Sequence, residues 1–174
     1  MNTRSDKKAF YGIPTMQGGK VTFTRMRYFT ELSISKNPKE YSRQYVDEAA
    51  ERTDVVGYSP SMSYNFDDYK GDAVLEDIVK ITNEELLGTD AQREVVMVDF
   101  SRPAKGGGYY AIKRTFAIIA DSEGDSTDAY TYSGTLKTVG TKIIGTAVIA
   151  TPDGGNSDTV ETITFTETAV AEEE

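Results

Sequence analysis

Along residues 21–34 (VTFTRMRYFTELSI) the chain alternates, with Val21, Phe23, Arg25, Arg27 and Phe29 on one face and Thr22, Thr24, Met26 and Tyr28 on the other. A period of two marks a β-strand, and the run exceeds the usual strand of about five or six residues, so it predicts either a bent strand or a pair. Met62, Tyr64 and Phe66 alternate in the same way. Residues 94–100 (EVVMVDF) read as a buried strand, and the glycine run at 105–108 (KGGG) joins it to a return strand over 109–119, an antiparallel pairing. Three more strands are expected around Tyr130, Tyr132 and Leu136, over 142–150 and over 160–166, separated by Gly140 and by the turn-rich 152–156. One segment has helical spacing instead: Val74, Leu75, Ile78, Val79 and Ile81 share a face, behind Asp72 as N-cap, predicting a helix over 72–87. About seven strands connected by turns, with one helix, give a mainly β fold class, an antiparallel β-sandwich or barrel with one packed α-helix.

Three segments fall outside that pattern. Residues 1–19 end in Gly18 and Gly19 and show no period, which predicts an N-terminal arm. After the turn at Asn37 and Pro38, residues 39–54 (KEYSRQYVDEAAERTD) carry Tyr41, Tyr45 and Val46 but too little else that is apolar to anchor a core strand pair. A loop of that length inside a compact domain is usually functional or disordered. Residues 167–174 form an acidic C-terminal tail. The whole chain, 1–174, is expected to be a single domain, since this length suffices for one ordinary core.

Composition narrows the function classes. The chain has neither cysteine nor histidine, which removes thiol nucleophiles, thiolate metal sites and the usual general base near neutral pH. Residues 1–10 are polar, unlike a secretory signal, and no apolar run approaches the ~20 residues of a membrane-spanning helix. The net charge of −9 disfavours nonspecific nucleic-acid binding. That charge is uneven: residues 1–53 hold ten Lys and Arg against six Asp and Glu, net +4, and residues 54–174 hold nine against twenty-two, net −13. Basic and acidic ends of this kind attract each other between copies.

Candidate chemistry is weak by comparison. Asp121, Glu123, Asp125 and Asp128 lack the ligand spacing of an EF-hand and read as a solvated loop. The 105–108 glycines match neither phosphate-binding motif. Asp67 with Asp68, and Glu84 with Glu85, are adjacent in sequence, which does not set two carboxyls across a cleft. Arg25, Arg27, Lys113 and Arg114 lie within strands, where cross-strand ion pairs are the expected use. The expectation is a protein that is not an enzyme and has no cofactor or metal.

Residues 26–38 (MRYFTELSISKNP), 52–60 (RTDVVGYSP), 85–90 (ELLGTD) and 121–134 (DSEGDSTDAYTYSG), in that order, resemble major tail tube proteins of long-tailed bacteriophages, over about residues 10–167. The resemblance implies a sandwich or barrel with one helix, assembling as hexameric rings that stack into the conduit for DNA ejection. It implies self-association, tail tip and tail terminator proteins at the ends, a tape measure protein inside the lumen, and DNA that passes without specific binding. It also implies a location in the virion tail, with the host cytoplasm during assembly. Residues 39–54 correspond by position to a family loop that reaches a neighbouring subunit, so Tyr41, Arg43, Tyr45, Asp47 and Arg52 are expected to order on assembly. An acidic lumen would repel phosphates, and Glu94 and Asp99 on the central strand are the carboxylates expected to face it. Two alternatives stand beside this: a tube subunit of a contractile phage tail or tail-like bacteriocin, and a virion-surface or extracellular β module binding carbohydrate or protein.

Overall fold

The computed structural model describes residues 3–15, 19–124, 127–152 and 159–168. Ten strands and one α-helix lie among them: β1 (Lys7–Pro14), β2 (Val21–Arg25), β3 (Phe29–Ser35), β4 (Pro38–Arg43), β5 (Arg52–Tyr58), β6 (Ser61–Asp67), α1 (Ala73–Asn83), β7 (Gln92–Pro103), β8 (Tyr109–Glu123), β9 (Thr131–Thr151) and β10 (Thr162–Glu167). Eight strands form one antiparallel sheet in the order β10-β2-β1-β7-β8-β9-β6-β3, and β10 also pairs with β9. That extra pairing closes β10, β2, β1, β7, β8 and the second half of β9 into a six-stranded barrel. The first half of β9 continues outward through β6 to β3 as a four-stranded sheet with β8. Between the two halves of β9 stands Gly140 at φ +77°, left-handed backbone that glycine adopts without strain.

Two cores follow from the alternation of strand side chains. Phe10, Phe23, Val96, Val98, Ala111, Ala147 and Ile163 fill the barrel. Tyr11, Val95, Phe116, Leu136, Met62 and Phe66 point to the opposite face, where Val74, Leu75, Ile78 and Ile81 of α1 cover them. Successive residues of β1 and β7 therefore serve different cores, and such strands read as continuous apolar runs because both faces are buried.

This corrects the expectation of an N-terminal arm over 1–19. Residues 7–14 (KKAFYGIP) form β1, between β2 and β7, with Phe10 and Tyr11 fully buried. The 21–34 run is a pair of strands, broken at Met26–Tyr28, where Tyr28 sits at φ +65°; β2 joins the barrel and β3 the far edge of the outer sheet. The helix begins as expected, the Asp72 carboxylate accepting from the Val74 and Leu75 amides at 3.0 and 3.2 Å. It ends at Asn83 and not at 87, because Glu85 takes a left-handed φ of +49° and turns the chain. Of the acidic tail, residues 169–174 lie outside the described residues, and Glu167 ends β10.

Candidate assembly surfaces

Tyr41, Arg43, Tyr45, Asp47 and Arg52 are brought together on one projecting element. Residues 38–58 form a hairpin, β4 with β5, that is a separate two-stranded sheet. Nearly every residue of it is exposed. Arg43 and Arg52 are paired across the strands, a like-charge placement that opposes pairing. Each cation finds another partner: the Arg43 guanidinium lies 5.4 Å from the Tyr45 ring centre, and Arg52 forms an ion pair with Glu48. Sequence reasoning missed the hairpin's apolar surface, Val55, Val56 and Tyr58, which are 53%, 59% and 60% exposed. The signal was present, since adjacent valines on a strand point to opposite faces and a two-stranded ribbon can cover neither.

The outer sheet offers a second surface. Its inner face carries Tyr64, Phe66, Tyr132 and Leu136 into the core beneath α1. On the other face, cross-strand rows run Ser33–Ser63–Thr135–Ile119, Ser35–Ser61–Lys137–Ala117 and Glu31–Asn65–Ser133–Ser122. These side chains are small and mostly hydroxyl-bearing, and Ser122 and Ser133 hydrogen bond at 2.7 Å. Both margins of the sheet are open among the described residues: β3 pairs only with β6, and residues 118–123 of β8 pair only with β9. Open strand edges present N–H and C=O groups to another chain.

A third feature is a cleft of about 700 Å³ at the start of β1, lined by Arg4, Lys7, Lys8, Arg25 and Arg27 over Met26, Met62 and Met97. Among the described residues, three carboxylates stand within ion-pair distance of these cations. Glu161 is 3.0 Å from Lys8 and 3.7 Å from Arg25, Asp99 is 3.6 Å from Lys7, and Asp72 is 2.9 Å from Arg27. Arg4 donates to the Leu32 carbonyl at 2.6 Å.

The two carboxylates expected to share a lumen face do not share one. Glu94 and Asp99 are five positions apart on a stretch of β7 whose register is regular, so their side chains leave opposite faces of the sheet. Glu94 is on the barrel side, 3.3 Å from Lys113, and Asp99 is on the helix side, buried to 9% exposure. Hydrogen bonds from the Ser101 hydroxyl and amide, with Lys7 nearby, hold the Asp99 carboxyl below the usual carboxylate range. Both are spent on internal partners.

No family model matches the chain, and no curated protein does. Solved structures do. A chain of the virion of a native gene transfer agent particle aligns with a TM-score of 0.55 at 13% identity, covering 83% of this chain and 98% of that one. A chain from the tail of an empty gene transfer agent particle, determined with helical refinement in C6 symmetry, aligns with a TM-score of 0.55 at 14% identity, covering 82% and 97%. At these identities the likeness is one of fold. The chain shares that fold over most of its length and over nearly all of theirs.

Proposed function

We propose that this chain is the subunit of a phage tail tube, building six-membered rings that stack into a conduit for DNA. The observation that carries the reading is the β4–β5 arm: a separate ribbon with Val55, Val56 and Tyr58 open to water needs a second copy to cover it. The shared fold with a chain from a C6-symmetric tail supports the stoichiometry.

The outer sheet suits ring closure. Three antiparallel steps separate β3 from β8, so β3 of one copy laid beside β8 of a rotated neighbour continues the antiparallel pattern. Repetition closes the sheets around a bore with the hydroxyl-rich face inward. That face holds Glu31 and Asp67 against Lys137, so the lining is close to neutral, and DNA meets hydrated hydroxyl groups with no basic patch to hold phosphate. The reading extends to a tape measure protein within the bore during assembly and to tip and terminator proteins at the open ends.

Negative-stain electron microscopy of the purified chain, alone and after addition of tail tip complexes as nuclei, tests this. Six-fold rings or tubes are expected. A monomer that stays monomeric with nuclei and binds glycan overturns the proposal in favour of a surface binding module.

A further inference from the structure

The open margin of β8 is more than a row of backbone groups, because the turn that follows α1 overhangs it. Residues 85–87 and 118–123 face each other across a cleft of about 520 Å³, with Leu86 and Leu87 on the turn and Ile118 and Ala120 on the strand. Leu87 is 82% exposed, two residues past the left-handed Glu85. The cleft lining holds three carboxylates, Glu85, Asp121 and Glu123, and no cation. None of the three is in an ion pair among the described residues. At the other margin of the sheet, β3 carries the complement. Leu32 and Ile34 pair with Tyr64 and Met62 and so share the helix side, Ile34 at 40% exposure. Lys36 is next in that alternation, exposed and in no ion pair among the described residues.

We propose that this cleft receives β3 of a neighbouring copy, with Ile34 against Leu87 and Lys36 against the cleft's carboxylates. The backbone supplies the first match. Among the described residues 118–123 are open because β7 reaches β8 only at Gln92, which pairs with Ala117. A strand added there must end before that point, and β3 does: it has seven residues, and Asn37, at φ +44°, then turns the chain away into β4. Side-chain facing supplies the second match. Ile118 lies on the helix side, paired with Leu136, so a continued sheet brings Leu32 and Ile34 to the face where Leu86 and Leu87 lie. Charge supplies the third, since an acidic cleft without a cation meets a strand that runs into Lys36, and opposite potentials across an interface fix its register and disfavour other partners. The proposal rests on the ring reading for the pairing of β3 with β8 and adds the clamp, the turn after α1, that closes over the neighbour's strand.

The chain has no cysteine, so paired cysteine variants report the contact directly. Within one chain, β3 and the β8 margin beneath Leu87 are three inter-strand steps apart, ~14 Å, whereas a disulfide needs Cα atoms within about 7 Å. One preparation carries Ile34→Cys, a second Leu87→Cys, and the two are mixed, assembled on tail tip complexes and mildly oxidised. A cross-linked dimer on a non-reducing gel is expected from the mixture, and little from Lys142→Cys mixed with Leu87→Cys. With both cysteines in one chain the products should form a ladder ending at the hexamer. In parallel, Leu87→Ser should leave urea unfolding of the single chain unchanged, since the side chain is exposed there, and lower ring yield in sedimentation roughly fivefold. Lys36→Glu should lower it to a similar degree, and Glu85→Lys with Asp121→Lys should restore rings to that variant. Rings of the double-cysteine variant without the cross-link, or parental ring yield from both Leu87→Ser and Lys36→Glu, overturn the inference and leave the tube reading intact. A cross-linked dimer from a chain that never closes into rings keeps this contact and removes the ring; absence of rings and cross-link together removes both.

Discussion

Arg93 and Asp77 hold the helix to the sheet. The Arg93 guanidinium donates to both Asp77 oxygens at 2.8 and 3.2 Å, and the Tyr11 hydroxyl donates to one of them at 2.5 Å. Burial of both ends makes removal of one partner costly, because the other charge stays in place. Arg93→Ala is expected to destabilise the protein by about 3 kcal/mol in urea unfolding, and Arg93→Met with Asp77→Leu by clearly less than the two single changes together. Burial, and then the Asp77 carboxylate, push the Tyr11 phenol well above its ordinary value, and burial pushes Tyr64 up to about 12. A raised phenol contributes stability that is fully present below the unfolded value near 10 and is lost as pH rises towards the folded value. Alkaline unfolding should therefore begin above about pH 10, with phenolate absorbance appearing together with loss of β circular dichroism. If the phenolate signal of these buried residues precedes unfolding, that coupling is wrong.

At the scale of elements, two close approaches decide how strands meet. A Cβ on Gly145 would collide with the Thr166 carbonyl and the Phe165 ring, at the seam where β9 and β10 close the barrel. A Cβ on Gly134 would meet the Ile119 carbonyl and the Tyr64 hydroxyl in the outer sheet. Gly145→Ala should lower stability by ~1–3 kcal/mol, the cost of overpacking, and open the β9–β10 seam. Hydrogen exchange should show this as faster amides in β10 than in β6, whereas Gly134→Ala should reverse the order. Asp72 serves two elements at once, capping α1 and meeting Arg27 at 2.9 Å. Asn at 72 keeps the cap and loses the ion pair, so the gap between Asp72→Asn and Asp72→Ala in thermal unfolding measures the cap, about 1 kcal/mol.

For the whole molecule, assembly and folding separate cleanly at the arm. Val55 and Val56 are exposed in the single chain, so Val55→Asp with Val56→Asp should leave its unfolding free energy within about 0.5 kcal/mol of the parent. The same change puts two carboxylates on the surface proposed to receive a neighbour, and rings should be absent by microscopy and sedimentation. Loss of folding in this variant would mean the arm belongs to the chain's own core. Tubes that still form would remove the arm from the assembly.

The periodicity of two over 21–34 and 61–67, and of 3.6 over 73–83, follows from which side chains must leave water, so the sequence by itself determined these strands, the capped helix and the mainly β class. It also marked residues 39–54 as a segment that cannot bury itself, since charge outweighs apolar area there. What it did not determine is everything set by a second face. Strand β1 escaped because Phe10 enters the barrel and Tyr11 the helix-side core, and burial on both faces erases alternation. The facing of Glu94 and Asp99 depended on register and on the positions of Lys113, Lys7 and Ser101, residues distant or unremarkable in the sequence. Only the tertiary structure closed β9 onto β10, left β3 and the end of β8 open among the described residues, and gathered the cations of residues 4–27 into one cleft. Pairing between strands far apart in the chain decides those placements, and no local pattern encodes the partner.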